Sequence, residues 1–172
     1  ANPNFSSKEH PRILFNSSTL PVLRERIKNN PETKIIFKRI QRDADRAIES
    51  NWWKHFPAND RKERETSYLE MAHNLVQVAY CWRITNDPMY SGVVQRAITM
   101  ACYPKGGRSS PEGAGGESNE DSTQITEFLG LLFDWLYPDL TEQERIDFIH
   151  SLDWRIDYFV NQFAWRRPSE GQ

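Results

Sequence analysis

Apolar residues recur at steps of three and four along most of this chain, and the runs are separated by proline, glycine and Asn/Asp/Ser clusters. That spacing places the apolar side chains on one face of a 3.6-residue helix. The clearest run is Ser122 to Trp165. Ile125, Phe128, Leu132 and Trp135 predict one helix, and Tyr137-Pro138-Asp139 stops it, because proline lacks the N–H and crowds the preceding turn. Thr141 followed by Glu144 predicts a capping box. Phe148, Ile149, Leu152, Ile156, Phe159, Val160 and Phe163 then form a broad apolar stripe on a second helix. The short connection predicts an antiparallel hairpin, around which the rest of the chain is expected to organise.

The upstream pattern is similar. His10-Pro11-Arg12-Ile13-Leu14-Phe15 reads as a short extended apolar segment around its proline. Asn16-Ser17-Ser18 offers caps for a helix carrying Leu20, Leu23 and Ile27. Pro31 suits the first position of the next helix, whose Ile36, Ile40, Ala44, Ala47 and Ile48 run to about Ser50 and whose other face is a solvated charged surface. Residues 51–66 read as a loop with three aromatics, Trp52, Trp53 and Phe56, that cap a bundle end or rim a sugar site. Thr66 to Arg83 is a third helix, apolar on nearly all sides from Leu75 to Trp82 and so buried on several. His73 on it reads as a core histidine, with ligand contact the minority reading. Asp87 and Pro88 start a fourth helix reaching Tyr103.

Residues 104–120 hold five of the eight glycines and no helical period, so they read as a surface loop or a lid. No strand precedes its Gly-Ala-Gly-Gly and no Gly-Lys-Ser/Thr follows, which excludes a phosphate loop. The expected architecture is all-α: an extended segment at 1–16, a helical-hairpin domain at 17–167 arranged as an α-solenoid or as part of an α/α toroid, and a tail at 168–172. Its turns at Asn86-Asp87-Pro88 and Tyr137-Pro138-Asp139 recur at about fifty residues, the mark of a repeating hairpin.

Composition narrows the function. Charged residues make up 27% of the 172 and hydrophobic ones 38%, which suits a folded domain and not a disordered segment. No apolar run approaches the about 20 residues of a membrane span. A net charge of -2 argues against general nucleic-acid binding, which needs a basic face. Two cysteines, Cys81 and Cys102, exclude a disulfide framework and a four-cysteine zinc site; both read as buried thiols, with a single disulfide as the alternative. His10, His55, His73 and His150 lie far apart, so no metal site and no cofactor are expected. Six Trp, six Tyr and nine Phe are a heavy aromatic load for a helical bundle. Most will be core, but aromatic faces also stack on sugar rings.

Three segments resemble the N-terminal helical region of the heparinase II/III-like polysaccharide lyases and their oligoalginate-lyase relatives. They are His10 to Phe15 with its following helix, Ala79 to Asp87 (AYCWRITND), and Phe133 to Tyr137 (FDWLY) with Leu140 to Arg145 (LTEQER). The resemblance implies an incomplete α/α toroid preceding a β-sandwich, and β-elimination on uronic-acid polysaccharides. It implies that the catalytic residues lie outside this chain, in later toroid helices and the sandwich. It also implies an acidic polysaccharide or oligosaccharide partner and a secreted or periplasmic location. The start at ANPNFSSKEH fits a mature chain after signal removal, or an artificial boundary.

Candidate sugar contacts are Trp165, Arg166 and Arg167 at the end of the last helix, with Asn74 and Glu120 behind them. Arginine pairs with a carboxylate or sulfate through two parallel N–H donors. The alternative is a non-catalytic helical-repeat module binding glycan or protein. A small glycosidase using Glu120, Glu127 or Asp134 is a third reading. A partial toroid leaves an open apolar face, so self-association of the chain is expected.

Overall fold

The computed structural model describes residues 10–54, 67–102 and 119–164, and these contain helices and no strand. Helices α1 (Thr19–Asn29) and α2 (Pro31–Glu49) fold back on each other through Asn30 alone. The Asn30 side chain accepts from the Thr33 N–H at 2.9 Å, and Pro31 takes the first helical position, where its missing donor costs nothing. A single turn, α3 (Asn51–Lys54), follows. Helix α4 (Tyr68–Thr85) starts at Ser67, whose hydroxyl accepts from the Glu70 N–H at 3.2 Å. It ends at Asn86, which sits in the left-handed region (φ 55) that asparagine tolerates.

The expected fourth helix begins later than its proline. Asp87 accepts from the Met89 N–H at 3.0 Å, but Pro88–Tyr90 close only a 3₁₀ turn, and α5 runs from Val93 to Ala101. Helix α6 (Asn119–Leu136) begins inside the segment assigned to the glycine-rich loop. The rest of that loop, Phe56 and the 168–172 tail lie outside the described residues. A 3₁₀ turn at Tyr137–Asp139 leads to α7 (Glu142–Ala164). The capping box forms as expected: Glu144 accepts from the Thr141 N–H at 2.8 Å, and the Thr141 hydroxyl from the Glu144 N–H at 3.3 Å.

The organising element is α4, not the α6–α7 hairpin. It packs against α2, α5 and α6. Its Met71, Ala72, Leu75, Val78, Ala79 and Cys81 are all fully buried. A helix apolar on nearly every side satisfies itself only at the centre of a bundle. Helix α6 adds Ile125, Leu129, Leu132 and Leu136 to this core. The hairpin has a stronger periodic signal because one of its sides faces water, and that contrast misplaces the centre.

Helix α7 departs further from expectation. Phe148 is buried and Leu152 half-buried, but Ile149, Ile156 and Val160 are 42%, 52% and 60% exposed. The apolar arc is wider than one contact needs. One half packs on α5 and α6, while Ile146, Ile149, Ile156 and Val160 lie together on the uncovered half.

Two resemblance-bearing segments clasp each other. Asp134, almost fully buried on α6, accepts from the Arg12 and Ile13 N–H groups at 2.8 Å each through Oδ2, and its Oδ1 meets His10 Nδ1 at 2.6 Å. The Trp135 indole N–H donates to the Ile13 carbonyl at 3.0 Å. His10 stacks on Tyr137 with ring centroids 4.0 Å apart, and Phe15 stacks on Trp135 at 5.4 Å. The segment is bent, not extended. Leu14 sits at φ 68, which costs a leucine about 1–2 kcal/mol, and the turn brings Phe15 back onto Trp135.

Candidate functional site

The sequence offers no compact cluster of chemistry-bearing residues, so the site has to be found in space. Two helices supply it. On α2, Asp43, Arg46 and Ala47 fall at i, i+3 and i+4 and share one face, and the C-cap residue Ser50 follows at i+7. On α4, Glu70, His73, Asn74 and Gln77 repeat the same spacing. The two stripes and Trp52 of α3 line a cleft of about 380 Å³. That is near the lower end of the about 300–1,000 Å³ range of small-molecule sites.

The floor is apolar and the walls are polar. Ala47 and Trp52 are buried, Ser50, Asn74 and Gln77 half-buried, and Arg46, Glu70 and His73 exposed at the rim. Trp52 and Trp53 stand edge to face at 5.5 Å. Arg96 stacks over Trp53 at 4.1 Å and donates to its carbonyl at 2.6 and 3.0 Å, which fixes the short α3 turn at the base of the cleft. The two tryptophans are therefore buried, as the bundle-capping reading expects, and Trp52 also reaches the cleft.

Its polar inventory is rich in acceptors. Asp43 and Glu70 are carboxylates, and Asn74 and Gln77 add amide oxygens. The Gln77 Oε1 atom is buried without a hydrogen-bond partner. The one arginine, Arg46, faces Asp43 at 3.7 Å. No group of three or more His, Cys, Asp or Glu among the described residues is placed to hold a metal ion. What the cleft can do is bind a small polar molecule through planar amides, an imidazole and charged rim groups above a tryptophan floor.

Of the five candidate sugar contacts, Asn74 lies in this cleft, and Trp52 and His73, each weighed from sequence as a minority sugar or ligand contact, line it as well. Glu120 falls in the first turn of α6, with its side chain outside the description. Trp165, Arg166 and Arg167 lie outside the described residues. His73 is not a core histidine. It is exposed on the cleft wall, its ring 5.8 Å from that of Phe128. Asp43, Arg46, Glu70 and Gln77 were missed because a charged helix face reads as ordinary surface. The available signal was the repetition of one polar spacing on two helices that pack together.

No family model matches the chain, and no curated protein matches it.

Elsewhere the buried polar groups serve packing. The Tyr90 hydroxyl donates to Asp45 at 2.6 Å and receives the Gln41 amide at 3.3 Å; burial, and then that bond to Asp45, raise its pKa. Burial, with the nearby Asp45 charge, pushes the Cys81 thiol up to about 12. Both cysteines are free, and Cys102 is exposed rather than buried. Arg83 pairs with Asp139, which also accepts from the Trp82 indole at 3.0 Å. Arg155 is fully buried, and none of its three guanidinium nitrogens has a hydrogen-bond partner; burial pulls its pKa down to about 10. Among the described residues, no helix is long and apolar enough to cross a membrane.

Proposed function

We propose that this chain is the N-terminal helical part of a polysaccharide lyase that acts by β-elimination on uronic-acid-containing polysaccharide, and that the α2–α4 cleft is part of its sugar-binding surface. The observation carrying this reading is the cleft itself: amides, imidazole and charged groups arranged above a buried tryptophan, with room for a sugar unit. Carbohydrate recognition asks for planar polar side chains around the ring hydroxyls and an apolar surface below. The clasp between His10–Phe15 and Asp134–Tyr137 gives two resemblance-bearing segments a shared structural role.

In this reading the helices form part of an α/α toroid, and the exposed stripe on α7 is covered by later helices of a longer secreted or periplasmic chain. The proton-transfer groups come from that remainder. In elimination, a neutralised carboxylate acidifies the C5 proton, a base removes it, and an acid assists the leaving oxygen. The cleft holds the polymer in register with those groups.

The test is the natural gene product incubated with a panel of uronate polysaccharides while ultraviolet absorbance is followed. Elimination creates a conjugated unsaturated uronate, so absorbance rises with a matching substrate. A product no longer than this chain that binds sugar without raising absorbance would leave a non-catalytic glycan-binding module as the account.

A further inference from the structure

The cleft borrows Trp52 from α3, a helix one turn long that cannot hold its own shape. The bonds α3 makes to its preceding residue are long. The Lys54 N–H reaches the Ser50 carbonyl at 3.4 Å, and the Trp53 N–H reaches the Ser50 hydroxyl at 3.4 Å. The short bonds come from a different element. Arg96 on α5 donates to the Trp53 carbonyl through Nε at 3.0 Å and Nη2 at 2.6 Å, and its guanidinium lies 4.1 Å from the centre of the Trp53 ring. A cation suits this carbonyl, one of those that a helix end leaves without an intrahelical partner.

Arg96 is seated in turn by Gly92. Its Nη1 donates to the Gly92 carbonyl at 3.1 Å, and a β-carbon on Gly92 would stand 2.9 Å from that Nη1 and 3.4 Å from the Trp53 ring. Neither Arg96 nor Gly92 lines the cleft. Trp53 meets Trp52 edge to face at 5.5 Å, so the latch reaches the cleft through one ring contact and one peptide unit. We infer that Arg96, seated against Gly92, is a positioning residue for the cleft: from α5 it sets the place of Trp52, and through it how tightly the cleft holds a saccharide. The part about affinity rests on reading the cleft as a sugar site. Lysine cannot replace it, because the latch uses two donors of one planar fork and the stacking face of the same group.

The test labels the 172-residue chain with fluorotryptophan and assigns the Trp52 fluorine signal by its loss in Trp52→Phe. Arg96→Met and Arg96→Lys should both move that signal, while the signal of Trp135 on α6 stays in place. Gly92→Ala keeps the charge and crowds Nη1, so it should move the Trp52 signal too, and it serves as the probe if the Arg96 variants do not fold. In the natural gene product, Arg96→Met should raise KM for a uronate polymer about fivefold with kcat within about twofold, as expected of a residue that acts on binding alone. A Trp52 signal that stays in place in the folded variants overturns the inference, as does an unchanged KM in a product that eliminates. A product that forms no unsaturated uronate sinks the lyase reading instead, and the Trp52 signal still decides the latch.

Discussion

Replacing Asp134 by alanine tests the clasp that ties the first described segment to α6. The carboxylate accepts two backbone N–H groups at 2.8 Å and pairs with His10 Nδ1 at 2.6 Å, while it is almost fully buried. Hydrogen bonds to a charged group contribute about 1.5–3 kcal/mol each, and the orphaned donors add their own desolvation cost. Full additivity would exceed the real effect, because the segment can detach and rehydrate its N–H groups. The loss is then bounded by the docking of His10 on Tyr137 and Phe15 on Trp135, giving about 3–5 kcal/mol. For a chain of this size that lowers Tm by about 10 °C. Asp134→Asn keeps one acceptor and the shape, so about half that loss is expected. Scanning calorimetry measures the shift, and near-ultraviolet circular dichroism follows Trp135. A control, Asp153→Ala on the exposed side of α7, should stay within about 0.5 kcal/mol. A Tm change for Asp134→Ala no larger than that of the control would refute the reasoning.

Cys81, with its thiol pushed up to about 12 by burial, should resist iodoacetamide in the native state while Cys102 reacts first; mass spectrometry of the labelled peptides decides. Because the folded Cys81 pKa lies above the ordinary 9.0, the folded state holds its proton longer, so this contribution to stability is intact below pH 9 and is lost as pH rises toward 12. A Cys81→Ala variant should show a shallower alkaline decline in urea midpoint. Arg155→Met removes a buried cation that has no hydrogen-bond partner, so stability should rise by about 1–2 kcal/mol in urea unfolding; a loss of that size would show that the guanidinium is paired. Finally, the uncovered α7 stripe should make the 172-residue chain self-associate in sedimentation, and Ile156→Lys with Val160→Lys should return it to a monomer.

The helices were legible because their ends carry explicit chemistry. Asn30-Pro31, Asp87-Pro88 and Thr141 with Glu144 form caps or turns where the residues require them. The sequence does not show which helix is central. Periodicity is loudest on a helix with one wet side, so α6 and α7 stood out, while α4, apolar nearly all round, gives a blurred pattern and holds the middle. Proline at position 88 marked a start but not its kind, since a 3₁₀ turn and an α-helix share that first residue. The site was less legible than the fold. Asn74 could be named as a polar residue on a buried helix, but Asp43, Arg46 and Gln77 become a wall only when α2 lies against α4. His73 was misread for the same reason: its neighbours in sequence are core, while its own direction is toward the cleft.

We propose that this cleft serves a lyase. The direct measurement is steady-state elimination by the natural gene product, wild type against Asn74→Ala with Gln77→Ala. The account predicts that the wild type forms unsaturated uronates and that the double variant raises KM about tenfold with kcat within about twofold, the signature of lost binding away from the reacting bond. A wild type that forms none on any uronate polymer, or a double variant with unchanged KM, would contradict it.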